Sequence, residues 1–300
     1  MVGPARSEKV MTFIVYHAGC PDGAMAAAIF LRERGGEVRV LAPASYQKPL
    51  VEVFDIREEV DWVGLSGATV YVLDFSFSLE DMEHLVRRVG DGGRVIVLDH
   101  HKSAAERYAN YVTPSNVRLL FDLEHSGAML AWQHFYPNTP PPAIVAHVED
   151  YDLWRHALPE SRAVHAFLRM LDMDVAKYAA LLNEGDAVHL ARFVGSYILR
   201  ANEQQAERLA EKPQVVAFRG LTALAACAPL HQDDVGSILA VKCESGVGIC
   251  WYYRDGRYKV SLRSRSVGGR EPFDCSALAK MYGGGGHRGA AAFSCDELPW

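Results

Sequence analysis

The segment GGRVIVLDHHKS, residues 92–103, joins an apolar run to three adjacent titratable residues, Asp99, His100 and His101. The apolar run has the length and the β-branched content of a buried strand. Two neighbouring imidazoles beside a carboxylate are difficult to explain by packing, because buried polar groups are costly unless they are paired. The segment therefore predicts a buried strand that ends at a polar site.

Similar strands alternate with helical patterns through the first half of the chain. Strands are predicted at 12–16, 37–42, 68–75 and 93–99, and helices at 22–34, which ends at Gly35-Gly36, and 78–89. Solidly apolar strands that alternate with helices are typical of a parallel sheet with helices on both faces, an α/β fold. Ligands of such sheets bind beyond the carboxyl ends of the strands, so polar residues there are candidates for a site.

The second half of the chain predicts a different organisation. From about residue 125 the pattern is helical, and residues 186–212 form one long predicted helix that is closed by Pro213. After Pro213, strands and two short helices predict a second and smaller α/β domain. We therefore expect a first domain at 1–185, a connector helix at 186–212 and a second domain at 213–300.

Composition excludes some classes of function. The 300 residues carry a formal net charge of −6, whereas proteins that grip long nucleic acid are usually basic. Six scattered cysteines without a CxxC pair indicate reduced thiols in a cytosolic protein. The apolar run near the N-terminus is too short for a signal peptide, and no stretch is long enough to span a membrane. We expect a soluble cytoplasmic protein.

Four groups of polar residues follow apolar segments. Singly, each aspartate is readily explained as a turn former or helix cap. Together they would repel or desolvate one another at one sheet edge unless a cation held them. Mixed oxygen and nitrogen ligands suit manganese, with iron, zinc or cobalt as alternatives. The groups are His17 with Asp22, then Asp74, then Asp99, His100 and His101, and finally Asp150 with Asp152.

A pair of cations would give this arrangement a chemical purpose. Two cations about 3.5–4 Å apart can share a hydroxide and hold both the attacking and the leaving oxygen of a phosphate ester. Asp74 is the natural bridge, because one carboxylate has two oxygens, and His100 is a ligand. In an extended backbone His101 points the opposite way, so it can face the phosphate.

The C-terminal region contributes a second candidate element, MYGGGGHRGAAAF at 281–293. Four glycines in a row indicate a loop whose bare amides an anion can approach, with a flexible turn as the alternative. Upstream, the strand RYKVSLRSR places Arg263 and Arg265 on one face. Beside the glycines and His287 this face is a candidate phosphate-binding surface, although a solvated basic strand would have the same pattern.

The DHH string, the upstream DG, the lone Asp74, EDYDLW and GGGGH follow the order found in the DHH phosphoesterase superfamily, which the chain resembles over residues 12–295. Members include RecJ-type exonucleases, nanoRNases, phosphoadenosine phosphate phosphatases and cyclic-dinucleotide phosphodiesterases. The resemblance implies two Mn²⁺ ions in a site between the DHH domain and a DHH-associated C-terminal domain. It implies metal ligands at His17, Asp22, Asp74, His100 and Asp150, an orienting role for Asp99, and substrate contacts at His101, Arg263, Gly284, Gly285, Gly286 and His287.

One position departs from the family pattern. Members carry D-x-D in the first motif, and here Cys20 stands where the first aspartate is expected, as in a branch of DHH phosphohydrolases with C-x-D-G. Cysteine is a soft ligand that is poorly matched to manganese, so one metal position is expected to be weaker or to hold another ion. Between Asp150 and Asp152, the sequence favours Asp150 because it directly follows an apolar run.

The function expected from these features is metal-dependent hydrolysis of short oligonucleotides to nucleoside monophosphates. An alternative with the same residues is a 3′-phosphatase acting on phosphoadenosine phosphate or a similar small nucleotide. A third possibility, motivated by Cys20, is a nucleotide-binding regulator with weakened catalysis. The expected partner is a short oligonucleotide or small nucleotide, not long duplex nucleic acid or a membrane, and the sequence leaves the oligomeric state open.

Overall fold

The computed structural model describes residues 11–34, 38–45, 65–269 and 271–300. The chain divides into two compact units, Met1–Ile198 and Leu199–Trp300, and this division falls inside the predicted connector 186–212. Three sequence-based expectations reach outside the described residues. They are the helix end at Gly35-Gly36, the start of the strand at 37–42, and much of the N-terminal segment assessed for a signal peptide.

The first unit contains a parallel sheet of five strands in the order β2-β1-β3-β4-β5. This confirms the predicted α/β class, and the order reverses between β1 and β3, which is where doubly wound sheets open a crevice for ligands. The strands are β1 (Thr12–His17), β2 (Val38–Ala44), β3 (Thr69–Leu73), β4 (Arg94–Asp99) and β5 (Val117–Phe121).

Helices cover both faces of this sheet, because alternate strand residues point to opposite sides. On one face Val70 and Val72 pack with α2 and α3, and on the other Tyr71 and Leu73 pack with α1 and the helices that follow β5. The helices are α1 (Pro21–Arg34), α2 (Leu79–Val89), α3 (Lys102–Tyr108), α4 (Gly127–Phe135), α5 (Ala143–Asp152), α6 (Ser161–Met170), α7 (Val175–Leu181) and α8 (Ala187–Leu209).

The middle of helix α1 is apolar all round and is buried between the sheet and the later helices. Its residues from Ala24 to Phe30 have no exposed surface. A helix that is buried on every side fixes its first turn firmly, and this first turn carries Asp22. The core of the first unit therefore holds one of the predicted ligands in place.

The second unit contains a mixed sheet of six strands in the order β10-β11-β9-β8-β7-β6, with β7 and β8 parallel and the other pairs antiparallel. The strands β6 to β9 and both short helices lie where the sequence predicts them, whereas β10 falls within the glycine run that was predicted to be a loop. They are β6 (Gln214–Phe218), β7 (Leu221–Cys227), α9 (Gln232–Lys242), β8 (Val247–Arg254), β9 (Arg257–Ser264), α10 (Cys275–Lys280), β10 (Gly285–His287) and β11 (Ala290–Cys295). Among the helices in the described part of the chain, none is long and apolar enough to cross a bilayer.

A half-buried histidine, His165, should make the stability of the first unit depend on pH. His165 of α6 stacks on Tyr151 of α5 with ring centroids 3.6 Å apart, and burial together with Arg169 and His156 lowers its pKa to about 3. The unfolded chain, with a pKa near 6.5, binds a proton that the folded chain excludes, so stability must fall as the pH drops below about 6.5. When the pH is lowered from about 7.5 to about 5, the free energy of unfolding of wild type, measured in urea, should fall by about 2 kcal/mol more than that of His165→Phe. Equal losses in both proteins would contradict this role.

Candidate metal centre

Three strand ends of the parallel sheet bring predicted ligands together. His17 ends β1, Asp74 follows β3 and His100 follows β4, and the parallel register aligns these three ends at one edge. Asp74 has a positive φ of 54°, and its N–H donates to Leu98 O at 2.8 Å. A left-handed backbone is unfavourable for a residue with a side chain, and such strain is found most often at functional sites.

Asp22 joins these strand ends from the first turn of α1. Its carboxylate is buried and accepts hydrogen bonds from the backbone N–H groups of Gly127 (2.7 Å) and Ala128 (2.9 Å) in the first turn of α4. Those N–H groups have no partner within their own helix, and the positive end of the helix dipole favours a carboxylate. Helix α4 therefore fixes the position of Asp22.

Gly127 is essential to this arrangement, and the sequence reasoning missed it. A Cβ atom at Gly127 would lie 2.4 Å from Asp74 Cβ and 2.8 Å from its carboxylate Oδ1. The start of α4 can approach Asp74 only because no side chain intervenes. The buried carboxylate of Glu149, also missed, accepts from Ser126 N and pairs with Arg155, which secures the same helix end. The sequence signal for this role is Ser-Gly at 126–127. A helix-capping serine followed by glycine could have indicated that another segment approaches the start of this helix closely.

His100 faces three carboxylates. Its Nε2 lies 3.1 Å from Asp74 Oδ1, 3.4 Å from Asp152 Oδ2 and 3.6 Å from Asp22 Oδ2. Burial disfavours charge on the ring, yet the three aspartates raise the pKa of His100 to about 9. The field at this nitrogen is therefore strongly negative, as a site for a cation requires.

The structure corrects the choice between the two aspartates of EDYDLW. Asp152, and not Asp150, lies beside His100. The carboxylate of Asp150 accepts hydrogen bonds from Ala157 N, Leu158 N and Ser161 Oγ. These bonds hold the loop that follows α5 in place. Burial opposes its charge, but these donors lower the pKa of Asp150. The preference for Asp150 assumed that the apolar run ends just before it, whereas this run is a helix that continues to Asp152.

This division of roles predicts opposite effects for the two alanine variants. Asp152→Ala should lower Mn²⁺ affinity by about 10- to 100-fold and leave the free energy of unfolding nearly unchanged. Asp150→Ala should lower the free energy of unfolding by about 1–3 kcal/mol, because buried donors lose their acceptor, and should change Mn²⁺ affinity little. Equilibrium dialysis and urea unfolding of both variants measure the two quantities. If Asp150→Ala lost the metal and Asp152→Ala retained it, the correction would be wrong.

Asp99 orients His101 rather than the ring of His100. Its buried carboxylate accepts from Ser76 Oγ (2.5 Å), from the backbone N–H of His100 (2.7 Å) and from that of His101 (3.2 Å). The same Oδ1 lies 2.7 Å from His101 Nδ1. Burial disfavours charge on His101, yet Asp99 raises its pKa. Asp99 is thus placed to orient the partly exposed ring of His101.

Seven side chains meet at this edge of the sheet, and we call them the strand-edge cluster: His17, Cys20, Asp22, Asp74, His100, His101 and Asp152. Within the described residues they form three overlapping groups whose ligand atoms all lie within 4.8 Å of one another. The groups are His17–Cys20–Asp74, Asp74–His100–His101 and Asp22–His100–Asp152. Asp74 belongs to two groups, so its carboxylate has the placement of a bridging ligand.

The cluster fits divalent cations on three observations. Asp74 Oδ1 is buried and accepts no well-aligned hydrogen bond within the described part of the chain, which is rare for a buried carboxylate oxygen. Burial and the charge of Asp74 raise the pKa of Asp22, while burial and the same neighbour raise that of Asp152. Burial opposes ionisation of Asp74 too, but His100 and His17 hold its pKa below the ordinary range. A cation would satisfy the free oxygen and offset the repulsion among these carboxylates.

In the second unit, the glycine run forms a hairpin rather than an open loop. Gly283 and Gly286 have positive φ angles of 71° and 141°, and a Cβ at Gly284 would lie 2.2 Å from Ala292 O. The structure therefore requires three of the glycines locally, whereas a Cβ at Gly285 would meet no atom within 4 Å and its φ is not positive. Gly285 to His287 form the exposed edge strand β10. Edge strands offer backbone groups to a ligand, so this strand can still contact an anion.

Two predicted phosphate contacts, Arg263 of β9 and Arg265 just after it, already have partners. Arg263 pairs with Asp233 of α9 and donates to Leu262 O, and its side chain is largely buried. Arg265 donates to Ser237 Oγ at 2.8 Å and to Ser264 O at 3.0 Å. The predicted alternation of β9 is present, with Val260 buried. An anion would have to displace Asp233 to bind Arg263, so His287 is the more accessible of the predicted phosphate contacts.

Comparisons with known proteins extend this description. No protein-family model matches the chain. It is 28% identical over 303 residues to Uncharacterized protein R106 of Acanthamoeba polyphaga mimivirus, and the match covers 94% of this chain and 66% of that protein. The chain thus spans just under two thirds of the length of the curated relative that it matches.

Two solved structures are similar over most of this chain. The pGpG-specific phosphodiesterase PggH of Vibrio cholerae has a TM-score of 0.51 at 12% identity, covering 94% of this chain and 92% of that chain. RecJ of Thermus thermophilus in complex with Mn²⁺ has a TM-score of 0.45 at 20% identity, covering 95% of this chain and 49% of that chain. The likeness to PggH is one of fold.

Proposed function

We propose that this chain is a DHH-type phosphoesterase that hydrolyses short oligonucleotides to nucleoside monophosphates with two divalent cations. The observation that carries the proposal is the buried Asp74 carboxylate, which is common to two ligand groups and has one oxygen that accepts no well-aligned hydrogen bond from the residues that the structure describes. Two bound cations would supply an activated water and neutralise the charge that develops on the phosphate. The order of the motifs supports the family, and the fold shared with PggH agrees with it.

The residues of the chain have separate roles in this proposal. Asp74 bridges the two positions, and Asp22, held by the N-terminus of α4, ligates one of them. His100 supplies the imidazole ligand. His101, whose ring Asp99 fixes through Nδ1, contacts the phosphate that is being hydrolysed. Each of these groups is held by a backbone or carboxylate contact, so the arrangement is preorganised before substrate binds.

A dinucleotide is the substrate class that we favour. PggH carries a dinucleotide, pGpG, in its name, and a net charge of −6 disfavours a grip on long nucleic acid. The exposed Trp154 comes two residues after Asp152 and offers an aromatic face on which a base can stack. Manganese is the first choice for the oxygen-rich Asp22–His100–Asp152 group, with other divalent cations able to replace it.

The experiment is a substrate comparison with metal-depleted protein to which Mn²⁺ is restored. A 5′-phosphorylated dinucleotide, a pentanucleotide, a long single strand and adenosine 3′,5′-bisphosphate are incubated in parallel, and chromatography resolves the products. We expect the dinucleotide to be hydrolysed fastest, with mononucleotides as products and complete loss of activity in EDTA. Faster release of phosphate from the bisphosphate would replace this proposal with a 3′-phosphatase. Metal binding without any hydrolysis would replace it with a nucleotide-binding regulator.

The second unit is proposed to hold the end of the substrate through His287 and the edge strand. His287→Ala should raise KM for the dinucleotide by about 3- to 10-fold and leave kcat and metal content unchanged. The reason is that the variant loses a contact that stabilises the bound substrate and the transition state equally. His287 is exposed, so the variant should fold normally. The matched control is His189→Ala, another exposed histidine. Unchanged kinetics in His287→Ala would remove this residue from substrate binding.

A further inference from the structure

The thiol of Cys20 lies at one corner of a nearly equilateral triangle of ligand atoms. Its Sγ is 3.4 Å from His17 Nδ1 and 3.4 Å from Asp74 Oδ2, and these last two atoms are also 3.4 Å apart. Ligand atoms bonded to one tetrahedral zinc ion are separated by about 3.3–3.6 Å, given the usual bond lengths. The three side chains are thus spaced as ligands of a single cation.

The surroundings of Cys20 differ from those of a packing cysteine. Cys250, Cys275 and Cys295 lie in apolar clusters of the second unit, where a thiol behaves as a small hydrophobic group. Cys20 instead contacts His17, Asp74 and the backbone N–H of Gly23, which approaches its sulfur at 3.3 Å. The ligand atoms of His17, Cys20 and Asp74 form one of the groups that are spaced to hold a metal ion, and Asp74 Oδ1 is left on the side of His100 without a well-aligned hydrogen bond within the described residues.

We propose that Cys20 is a thiolate ligand and that the two metal positions are therefore unlike. The His17–Cys20–Asp74 position selects zinc, cobalt or ferrous iron over manganese and magnesium, because thiolate sulfur favours softer cations. The Asp22–His100–Asp152 position, to which Asp74 Oδ1 also points, is rich in oxygen and accepts manganese or magnesium. This inference rests on the proposed function for its two cations and adds the identity of each.

Binding at the first position changes one covalent bond in the protein. The S–H bond of Cys20 breaks as the sulfur–metal bond forms, and the proton leaves to solvent. No electron is transferred, so neither an oxidant nor a reductant is required. Gly23 N–H remains a donor to the sulfur, which stabilises the thiolate once the proton has left.

Cobalt absorption tests the proposal without any measurement of activity. Metal-depleted full-length protein is titrated with Co²⁺, and we expect a thiolate-to-cobalt charge-transfer band in the near ultraviolet. Cys20→Ser should lose this band, whereas Cys227→Ser, which changes an exposed cysteine, should keep it at full intensity. Cys20→Asp should also lose the band while still binding two cobalt ions, which guards against a variant that fails to fold.

Metal competition gives a second readout. In Cys20→Asp the preference for Zn²⁺ over Mn²⁺, measured by equilibrium dialysis, should fall by at least about 10-fold. Absence of the band in wild type with two cobalt ions bound, or its persistence in Cys20→Ser, would overturn the inference. Hydrolysis of the dinucleotide is assayed separately. Activity in a protein without the band would reject the thiolate ligand and leave the proposed function standing.

Discussion

Asp74→Asn should reduce turnover of a dinucleotide by at least about 10³-fold, the largest effect that we expect from a single side chain. The substitution keeps the shape of the side chain but replaces one carboxylate oxygen by an NH2 group. The amide can then ligate a cation only through its remaining oxygen. Asp74 contacts His17, Cys20 and His100, so its loss weakens both metal positions together. Steady-state kinetics and metal content measure the two consequences.

Stability separates this effect from misfolding. His100 and His17 hold the buried Asp74 in its charged form, so its neutral replacement breaks this pairing and should lower the thermal midpoint, while a single cooperative transition would show that the variant is folded. The matched control is Asp91→Asn, which removes the same charge from an exposed position and should retain full activity. Activity within a few-fold of wild type in Asp74→Asn would contradict the bridging role.

Gly127→Ala should have the second largest effect, although residue 127 bears no functional group. The added Cβ would lie 2.4 Å from Asp74 Cβ, so the start of α4 and Asp74 must move apart. Because the N–H groups of Gly127 and Ala128 also hold Asp22, both carboxylates are displaced at once. A shift of about 1 Å in a catalytic group can cost about 10²-fold in rate, and overpacking costs about 1–3 kcal/mol of stability.

Kinetics and urea unfolding of Gly127→Ala measure these two losses. The control is Gly185→Ala, because a Cβ at Gly185 meets no atom within 4 Å and its backbone conformation is ordinary. This control should be neutral or slightly stabilising, since alanine restricts the unfolded chain more than glycine does. If Gly127→Ala kept normal activity and stability, the close approach of α4 to Asp74 would not be required.

The sequence could predict the strand-end residues of the cluster because their placement follows from periodicity alone. Parallel strands carry His17, Asp74 and His100 to one edge, and each of these residues immediately ends or follows an apolar run. The order of the strands along the chain and the position of the long helix could be read from the same periodicity. These predictions need no knowledge of side-chain contacts, and for this reason they agree with the structure.

Other parts of the centre could not be predicted, because they depend on three-dimensional packing. To choose Asp152 over Asp150, one must know how α5 is rotated about its axis and which backbone N–H groups of the following loop donate to Asp150. The roles of Gly127 and Glu149 depend on contacts between distant segments. The sequence identified Cys20 as a departure, but only the 3.4 Å contacts of its sulfur give that departure a meaning. For the glycine run, the same local pattern fits a loop and a hairpin equally well.

The central claim is that two cations share Asp74 at the strand-edge cluster, and anomalous diffraction from metal-depleted crystals soaked in Co²⁺ tests it most directly. For wild type we predict two anomalous peaks, each about 2.0–2.3 Å from one oxygen of Asp74, one beside His17 and the other beside His100. Asp74→Asn crystals treated in the same way should show at most one peak. No peak at the cluster in wild type, or two undiminished peaks in the variant, would contradict the account.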